Sequence, residues 1–302
     1  MDLNEIKKDI LRYTECIDEI ITKLESISSN TIIVGTGGSK VVAKFLSNIL
    51  EKKNNIITSV MDARDLHHKN LASFNNIFII SYSGSNYGVK SSIIDGKSAY
   101  LLSHRKTKIS NETLLHYEAS SKKSFISLEA TLIPNSILLR YYLGDNFAII
   151  LDEIFESIDA SLTLELKGNH LNIFSGIETA SSEEFITSTL VETGIKSPLV
   201  HEKYSYCHGR STINKDHASS CIYLGYNNTD LDIKLKEVIG KTMANHLIME
   251  SYFEDPIIND YYLTLQSMVL LINIARAKKI NLRSIKYDKE AVRNLYYFKG
   301  SM

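Results

Sequence analysis

The sequence predicts an α/β protein of two similar units, each built on parallel strands. Three observations carry that prediction. Short apolar runs alternate with longer segments of helical spacing through most of the chain. Two of the runs end abruptly in turns rich in glycine and serine, G-T-G-G-S at Gly35 to Ser39 and S-Y-S-G-S-N at Ser81 to Asn86. Near residue 170 the alternation starts again, after a long apolar helical stretch.

The elements follow in order. Leu3, Ile6, Ile10, Tyr13, Ile17, Ile20, Ile21 and Leu24 recur at helical spacing over residues 3–28. Thr31 to Val34 is the first strand, and it runs directly into the glycine turn and a helix over Val41 to Leu50. Further strands are expected at Ile56 to Met61, Ile77 to Ser81 and Ala99 to Ser103. His67 and His68 fall in a helix after the second strand, and another helical segment is expected from Tyr87. A fifth strand is expected at Ser124 to Leu128, with Leu114 to Tyr117 as its competitor. A helix then runs from Pro134 to Leu143 and on through Phe155.

The second unit restarts at a strand over Leu171 to Phe174, followed by a helix over Ser182 to Thr193. Leu199 to His201, Cys221 to Leu224 and Asn245 to Met249 read as strands. Ile257 to Ala277 is apolar on most sides and reads as a buried helix. The junction is expected within residues 144–160, giving units of 1–150 and 151–302. The repeat is one of architecture, not of residues.

Composition narrows the function. With 44% hydrophobic and 23% charged residues in 302, the chain can bury two ordinary cores. A net charge of −1 gives no electrostatic reason to expect nucleic acid or an anionic membrane as partner. Three scattered cysteines, Cys16, Cys207 and Cys221, form neither a disulfide framework nor a Cys-rich zinc site. The N-terminal segment lacks the apolar core of a signal peptide, and no run reaches the ~20 apolar residues that span a bilayer. A reducing, cytoplasmic setting is expected.

The S-Y-S-G-S-N turn carries the most chemistry. Hydroxyls on Ser81, Ser83 and Ser85, the amide of Asn86 and the backbone around Tyr82 and Gly84 precede a helix start. Backbone N–H groups and hydroxyls placed there cradle a phosphate without a lysine or a metal. The alternative is an ordinary strand-to-helix turn with a serine cap. In the first turn, Gly37 lets the backbone approach a ligand, and Thr36 and Ser39 supply hydroxyls. That turn lacks the full G-x-G-x-x-G and the acidic ribose partner of a dinucleotide site.

Together these residues resemble the sugar isomerase (SIS) domain family. Its pattern is a glycine-serine turn followed about 45 residues later by S-x-S-G-x-T/S. The second half fits as well. F-S-G at Phe174 to Gly176 resembles the turn that opens the second repeat. Glu192 ends a helix as the glutamate of the family's K-L-K-E does, and His208-Gly209 resembles its H-G-P. Their 16-residue separation is that found in the isomerase domain of glucosamine-6-phosphate synthase. The tail V-R-N-L-Y-Y-F-K resembles P-R-N-L-A-K, with Lys299 displaced by two positions. Departures are Thr189 for the first lysine of K-L-K-E, Arg210 for the proline and Asn86 for threonine.

The resemblance implies two flavodoxin-like three-layer αβα units. It also implies a phosphosugar or amino-sugar phosphate aldose–ketose isomerase, alone or coupled to deamination or deglycation. Glu192 would shuttle a proton through an enediol, and His208 would open the sugar ring. For Glu192 the alternative is a solvated carboxylate paired with Lys196; for His208 it is a surface histidine. Thr36, Gly37, Ser39, Ser81, Tyr82, Ser83, Ser85 and Asn86 would hold the phosphate, and Glu129, Arg210 and Lys299 are further substrate-binding candidates. No metal and no organic cofactor is required. Adjacent histidines at His67 and His68 rarely converge on one ion. A homodimer is expected, with His208 reaching a partner's site. The competing reading is a non-catalytic sugar-phosphate-binding regulatory protein, which the loss of lysine at Thr189 favours.

Overall fold

The computed structural model describes residues 2–68, 70–84, 89, 92–94, 96–106, 112–119, 128–206, 208, 211, 219–226, 229–243, 245–282 and 290. The chain divides into two compact units at Ala148 and Ile149. The N-terminal unit opens with helices α1 (Leu3–Thr14) and α2 (Asp18–Glu25). Five parallel strands follow: β1 (Thr31–Val34), β2 (Thr58–Met61), β3 (Asn76–Ile80), β4 (Ser98–Ser103) and β5 (Glu112–His116). Their order in the sheet is β2-β1-β3-β4-β5. Helix α3 (Gly38–Ile49) links β1 to β2, and α4 (Leu128–Leu143) packs on α3 and α1.

The central strands β1 and β3 are buried along their whole length, as a parallel sheet covered on both faces requires. Ile32, Val34, Ile77, Ile79 and Leu101 point to one face and pack with Met61, Ala63, Leu66 and Val89. The fifth strand is the competitor segment, residues 112–116, in register with β4 from Ala99↔Glu112 to Ser103↔His116. Leu128, the last residue of the expected strand, instead opens α4, and residues 124–127 lie outside the described set. The segment from Tyr87 also falls largely outside it. The helix expected at His67 and His68 is a single 3-10 turn, Leu66–His68.

The expected helix through Phe155 is two helices. Gly144, at φ 58, and the 3-10 turn Gly144–Asn146 end α4 before α5 (Phe147–Glu156) begins. The C-terminal unit then sets out β6 (His170–Ser175), α6 (Ala180–Glu192), β7 (Pro198–Glu202), β8 (Ser219–Leu224), α7 (Asp230–Thr242), β9 (Asn245–Met249) and α8 (Pro256–Ala277). All four strands are parallel, in the order β7-β6-β8-β9. This repeats the first sheet without its fifth strand. Each unit is thus a three-layer α/β sandwich of a parallel sheet between helices.

Helix α8 starts where Asp255 accepts hydrogen bonds from the N–H groups of Ile257 and Ile258, 2.8 and 3.2 Å away, with Pro256 in its first turn. It is buried along nearly its whole length and packs on α6. Its apolar faces are therefore covered within the chain and give no reason to expect a partner. Helix α7 does not stand out in the sequence, because its charged residues mask the buried Leu235 and Ile239.

Candidate functional site

In an open parallel sheet, ligands bind beyond the carboxyl ends of the strands, where the strand order reverses. In the N-terminal unit that point lies between β1 and β3, since β1 leads to β2 on one side and pairs with β3 on the other. The G-T-G-G-S turn leaves β1 there and the S-Y-S-G turn leaves β3. The two turns that stand out in the sequence are thus neighbours in space.

The first turn needs its glycines. Gly37 has φ 59, a left-handed conformation that side chains resist. A Cβ on Gly35 would stand 2.5 Å from the Ser39 carbonyl oxygen, inside contact distance. The Ser39 N–H donates to the Thr36 carbonyl at 3.3 Å, closing the turn. The Thr36 hydroxyl donates to Asp62 Oδ2 at 2.9 Å, so its proton is committed to that carboxylate.

Asp62 is a residue that sequence reasoning missed. It follows β2, and Arg64 Nε pairs with it at 2.9 Å. Burial opposes its charge, but hydrogen bonds from Arg64 and Thr36 outweigh that and hold its carboxyl below the usual range. A carboxylate therefore does stand beside the glycine turn, at the end of the second strand, where the sequence was read as lacking one. It faces Thr36 and its own neighbour Arg64. The signal was the M-D-A-R stretch closing β2.

In the second turn Ser81 is buried, and its Oγ accepts the Gly84 N–H at 3.1 Å; Gly84 has φ 62. That bond leaves the Ser81 hydroxyl proton available to an oxyanion. Ser83 is half-buried on the same turn. Ser103, at the end of β4, donates to the Tyr82 carbonyl at 3.4 Å. The Tyr82 ring stacks on His104 with centroids 4.9 Å apart, and His104 Nδ1 lies 3.3 Å from the Tyr117 carbonyl. Burial pushes the Tyr117 phenol well above its ordinary value. His104 is again absent from the sequence reading, and Tyr117 enters it only as the end of a candidate strand, although S-H-R at the end of a strand offered a cue. Ser85 and Asn86 lie outside the described residues. Glu129 falls in the first turn of α4.

In the C-terminal unit Glu192 is the last residue of α6 and is partly buried. Its Oε2 is buried with no hydrogen-bond partner among the described residues. Burial raises its pKa. Lys196, its partner in the alternative reading, donates instead to the Gly168 carbonyl at 2.7 Å. One turn earlier, Thr189 Oγ1 is likewise buried and has no partner among the described residues. His208 is exposed, and its N–H closes a turn onto the Ser205 carbonyl at 3.1 Å. Cys207, Gly209, Arg210 and Lys299 lie outside the described residues.

Glu192 and His208 belong to the same unit but flank opposite ends of β7. Helix α6 returns from the carboxyl end of β6 to the amino end of β7, and His208 follows β7. Among the described residues no helix is long and apolar enough to cross a membrane.

No protein-family model matches the sequence. No curated protein matches it either. Solved structures do match the fold. Glucosamine-6-phosphate deaminase from Thermotoga maritima superposes with a TM-score of 0.66 at 14% identity, over 94% of this chain and 98% of that one. Tagatose-6-phosphate ketose/aldose isomerase from Escherichia coli gives 0.73 at 10% identity, over 93% and 94%. The C-terminal domain of glucosamine-fructose-6-phosphate aminotransferase from Francisella tularensis gives 0.59 at 12% identity, over 90% and 94%. At such identities the likeness is one of fold, and this chain shares the fold of these sugar-phosphate isomerase, deaminase and aminotransferase structures.

Proposed function

We propose that this chain binds a phosphorylated sugar or amino sugar and interconverts its aldose and ketose forms, alone or with loss of an amine or adduct. The observation that carries the reading is Glu192. A partly buried carboxylate with an unpartnered oxygen and a raised pKa costs stability, and such groups collect where proton transfer is needed. In the ionised form it takes the proton from one carbon of an enediol pair and returns it to the next. The phosphate rests on the turn from Ser81 to Asn86, with the hydroxyls of Ser81 and Ser83 donating and the Gly35 to Ser39 backbone closing the opposite side. The carboxyl ends of neighbouring strands support that placement, as does the fold shared with a tagatose-6-phosphate isomerase and a glucosamine-6-phosphate deaminase. His208 opens the sugar ring, and Glu129, Arg210 and Lys299 are further substrate contacts.

The test is solvent-deuterium incorporation into hexose 6-phosphates and their 2-amino analogues. Wild type is expected to exchange the C2 proton of at least one of them, and Glu192→Gln to abolish exchange while ligand affinity is kept. Normal exchange in the variant would remove Glu192 from the mechanism.

Thr189 supports a second reading, a sugar-phosphate-binding regulatory protein. A hydroxyl stands one turn before Glu192, where the resembling enzymes carry a lysine. Binding of a sugar phosphate with no exchange in wild type would select this reading.

A further inference from the structure

The second sheet has its own switch point, between β6 and β8, with turns that correspond to the two of the first unit. The chain's own carboxylates fill it. The Asp232 side chain sits at the start of α7 and is 1% exposed. Its Oδ2 accepts the hydroxyl and N–H of Thr229, 2.8 and 3.3 Å away, and its Oδ1 accepts the Tyr223 hydroxyl at 2.6 Å. Glu178 folds back over the turn after β6, so close to Gly176 that a Cβ there would lie 2.5 Å from its carboxylate. Between the two carboxylates lies Lys203, from the 3-10 turn Lys203–Ser205 after β7, its side chain 1% exposed. Its Nζ is 3.1 Å from Glu178 Oε1, 3.9 Å from Asp232 Oδ1 and 5.1 Å from the centre of the Tyr223 ring.

An exposed capping box would suffice to hold a helix end. This one adds a buried phenol and a buried ammonium, which are costly to desolvate unless an anion sits between them. Asp232 supplies that anion. We propose that the C-terminal unit carries an oxyanion site occupied from within, in which the Asp232 carboxylate stands where a small anion would bind and Lys203 is its cation. The site excludes a ligand phosphate in two ways. The Thr229 and Tyr223 donors are already used by Asp232, and Lys203 faces two carboxylates, while Lys236, 5.5 Å from the Tyr223 ring, is paired with Glu250, so the cluster keeps a net negative charge. The proposal concerns the second unit alone and does not rest on the reading of the first.

The test removes the internal anion and offers an external one. All variants carry Ser83→Ala, so that any anion response of the first unit is reduced and measured separately in the parent. Asp232→Ala is expected to melt at a lower temperature. Millimolar formate, which has the size of the deleted carboxylate, should restore at least half of that loss, and inorganic phosphate part of it. Adding Glu178→Gln should tighten the apparent anion affinity about tenfold, since a competing negative charge is gone. Adding Lys203→Met should abolish the response. The parent should show no Lys203-dependent anion binding. If Asp232→Ala does not fold, formate should recover its refolding yield, and Asp232→Ser, which keeps a capping oxygen, should give the same melting response. A folded Asp232 variant indifferent to formate and phosphate would overturn the proposal. So would a phosphate bound to the parent and lost on Lys203→Met, which would make Lys203 an open ligand contact.

Discussion

Glu192 precedes the amino end of β7 and His208 follows its carboxyl end, so they flank opposite ends of one strand although only 16 residues separate them in sequence. The cause is topological. Helix α6 leaves the carboxyl end of β6 and runs back over 13 residues, about 20 Å at helical rise, with Glu192 at its end. The five residues of β7 then cross the sheet again, about 16 Å, and His208 follows at the far side. The spacing that makes the pair conspicuous in the sequence is therefore that of one helix end and one strand, not of two groups facing a shared ligand.

Ser83→Ala should weaken phosphorylated sugars and leave unphosphorylated ones unchanged. The turn offers its hydroxyl beside the available proton of Ser81. A hydrogen bond to a charged group contributes about 1.5–3 kcal/mol, roughly ten- to a hundredfold in Kd. Titration calorimetry on a hexose 6-phosphate and its parent hexose measures both. Equal losses for the two would count against a phosphate role.

Glu192→Gln should stabilise the protein at neutral pH. Burial lifts the folded-state pKa of Glu192 above its unfolded value of about 4.3. Between those two values the folded chain keeps a proton that the unfolded chain has released, so stability falls as pH rises. Above the folded value the full penalty applies. Glutamine carries no such penalty, so a gain in stability is expected at pH 8 that shrinks to nothing below about pH 4. Urea melts at the two pH values decide it. A variant less stable at pH 8 would mean that the carboxylate has a partner in solution.

Gly35→Ala should damage the first turn rather than the sheet. The added methyl meets the Ser39 carbonyl at 2.5 Å, and that atom is backbone at the start of α3, so the turn must open. Strain of this kind costs about 1–3 kcal/mol. Thermal melting should show a lower but still cooperative transition, with ligand affinity falling further than at Ser83→Ala. An unchanged melting temperature would show that the turn relaxes without cost.

The sequence was legible where backbone geometry leaves residue-type marks. The turns after β1 and β3 were visible because glycine is strongly favoured at the positive φ of Gly37 and Gly84, and the buried strands because covered parallel sheets are apolar throughout. Asp62 was not legible, since its role depends on β2 lying next to β1, a pairing no local pattern encodes. The Asp232–Lys203 cluster was hidden for the same reason: 29 residues separate its members, and each alone reads as a surface charge. Helix α7 was missed because its outward face is densely charged, and β5 was misplaced because two short apolar segments competed.

Mixing inactive Glu192→Gln chains with inactive His208→Ala chains should restore part of the activity. One chain cannot bring Glu192 and His208 to one sugar ring, because a strand length lies between them. If both act on the same substrate, His208 must come from a second copy, and a closed two-fold dimer is the commonest way to supply it. In a random mixture of the two variants, half of the dimers are mixed. Each mixed dimer carries one site with both groups intact and one with neither, so about a quarter of wild-type activity is expected. The readout is solvent-deuterium exchange after co-refolding, with mixed dimers confirmed by differently tagged chains. Failure to recover activity in confirmed mixed dimers would place both groups in one chain's site and overturn the separation drawn from the topology. A concentration-independent monomer in sedimentation, still active, would dismiss the shared site altogether.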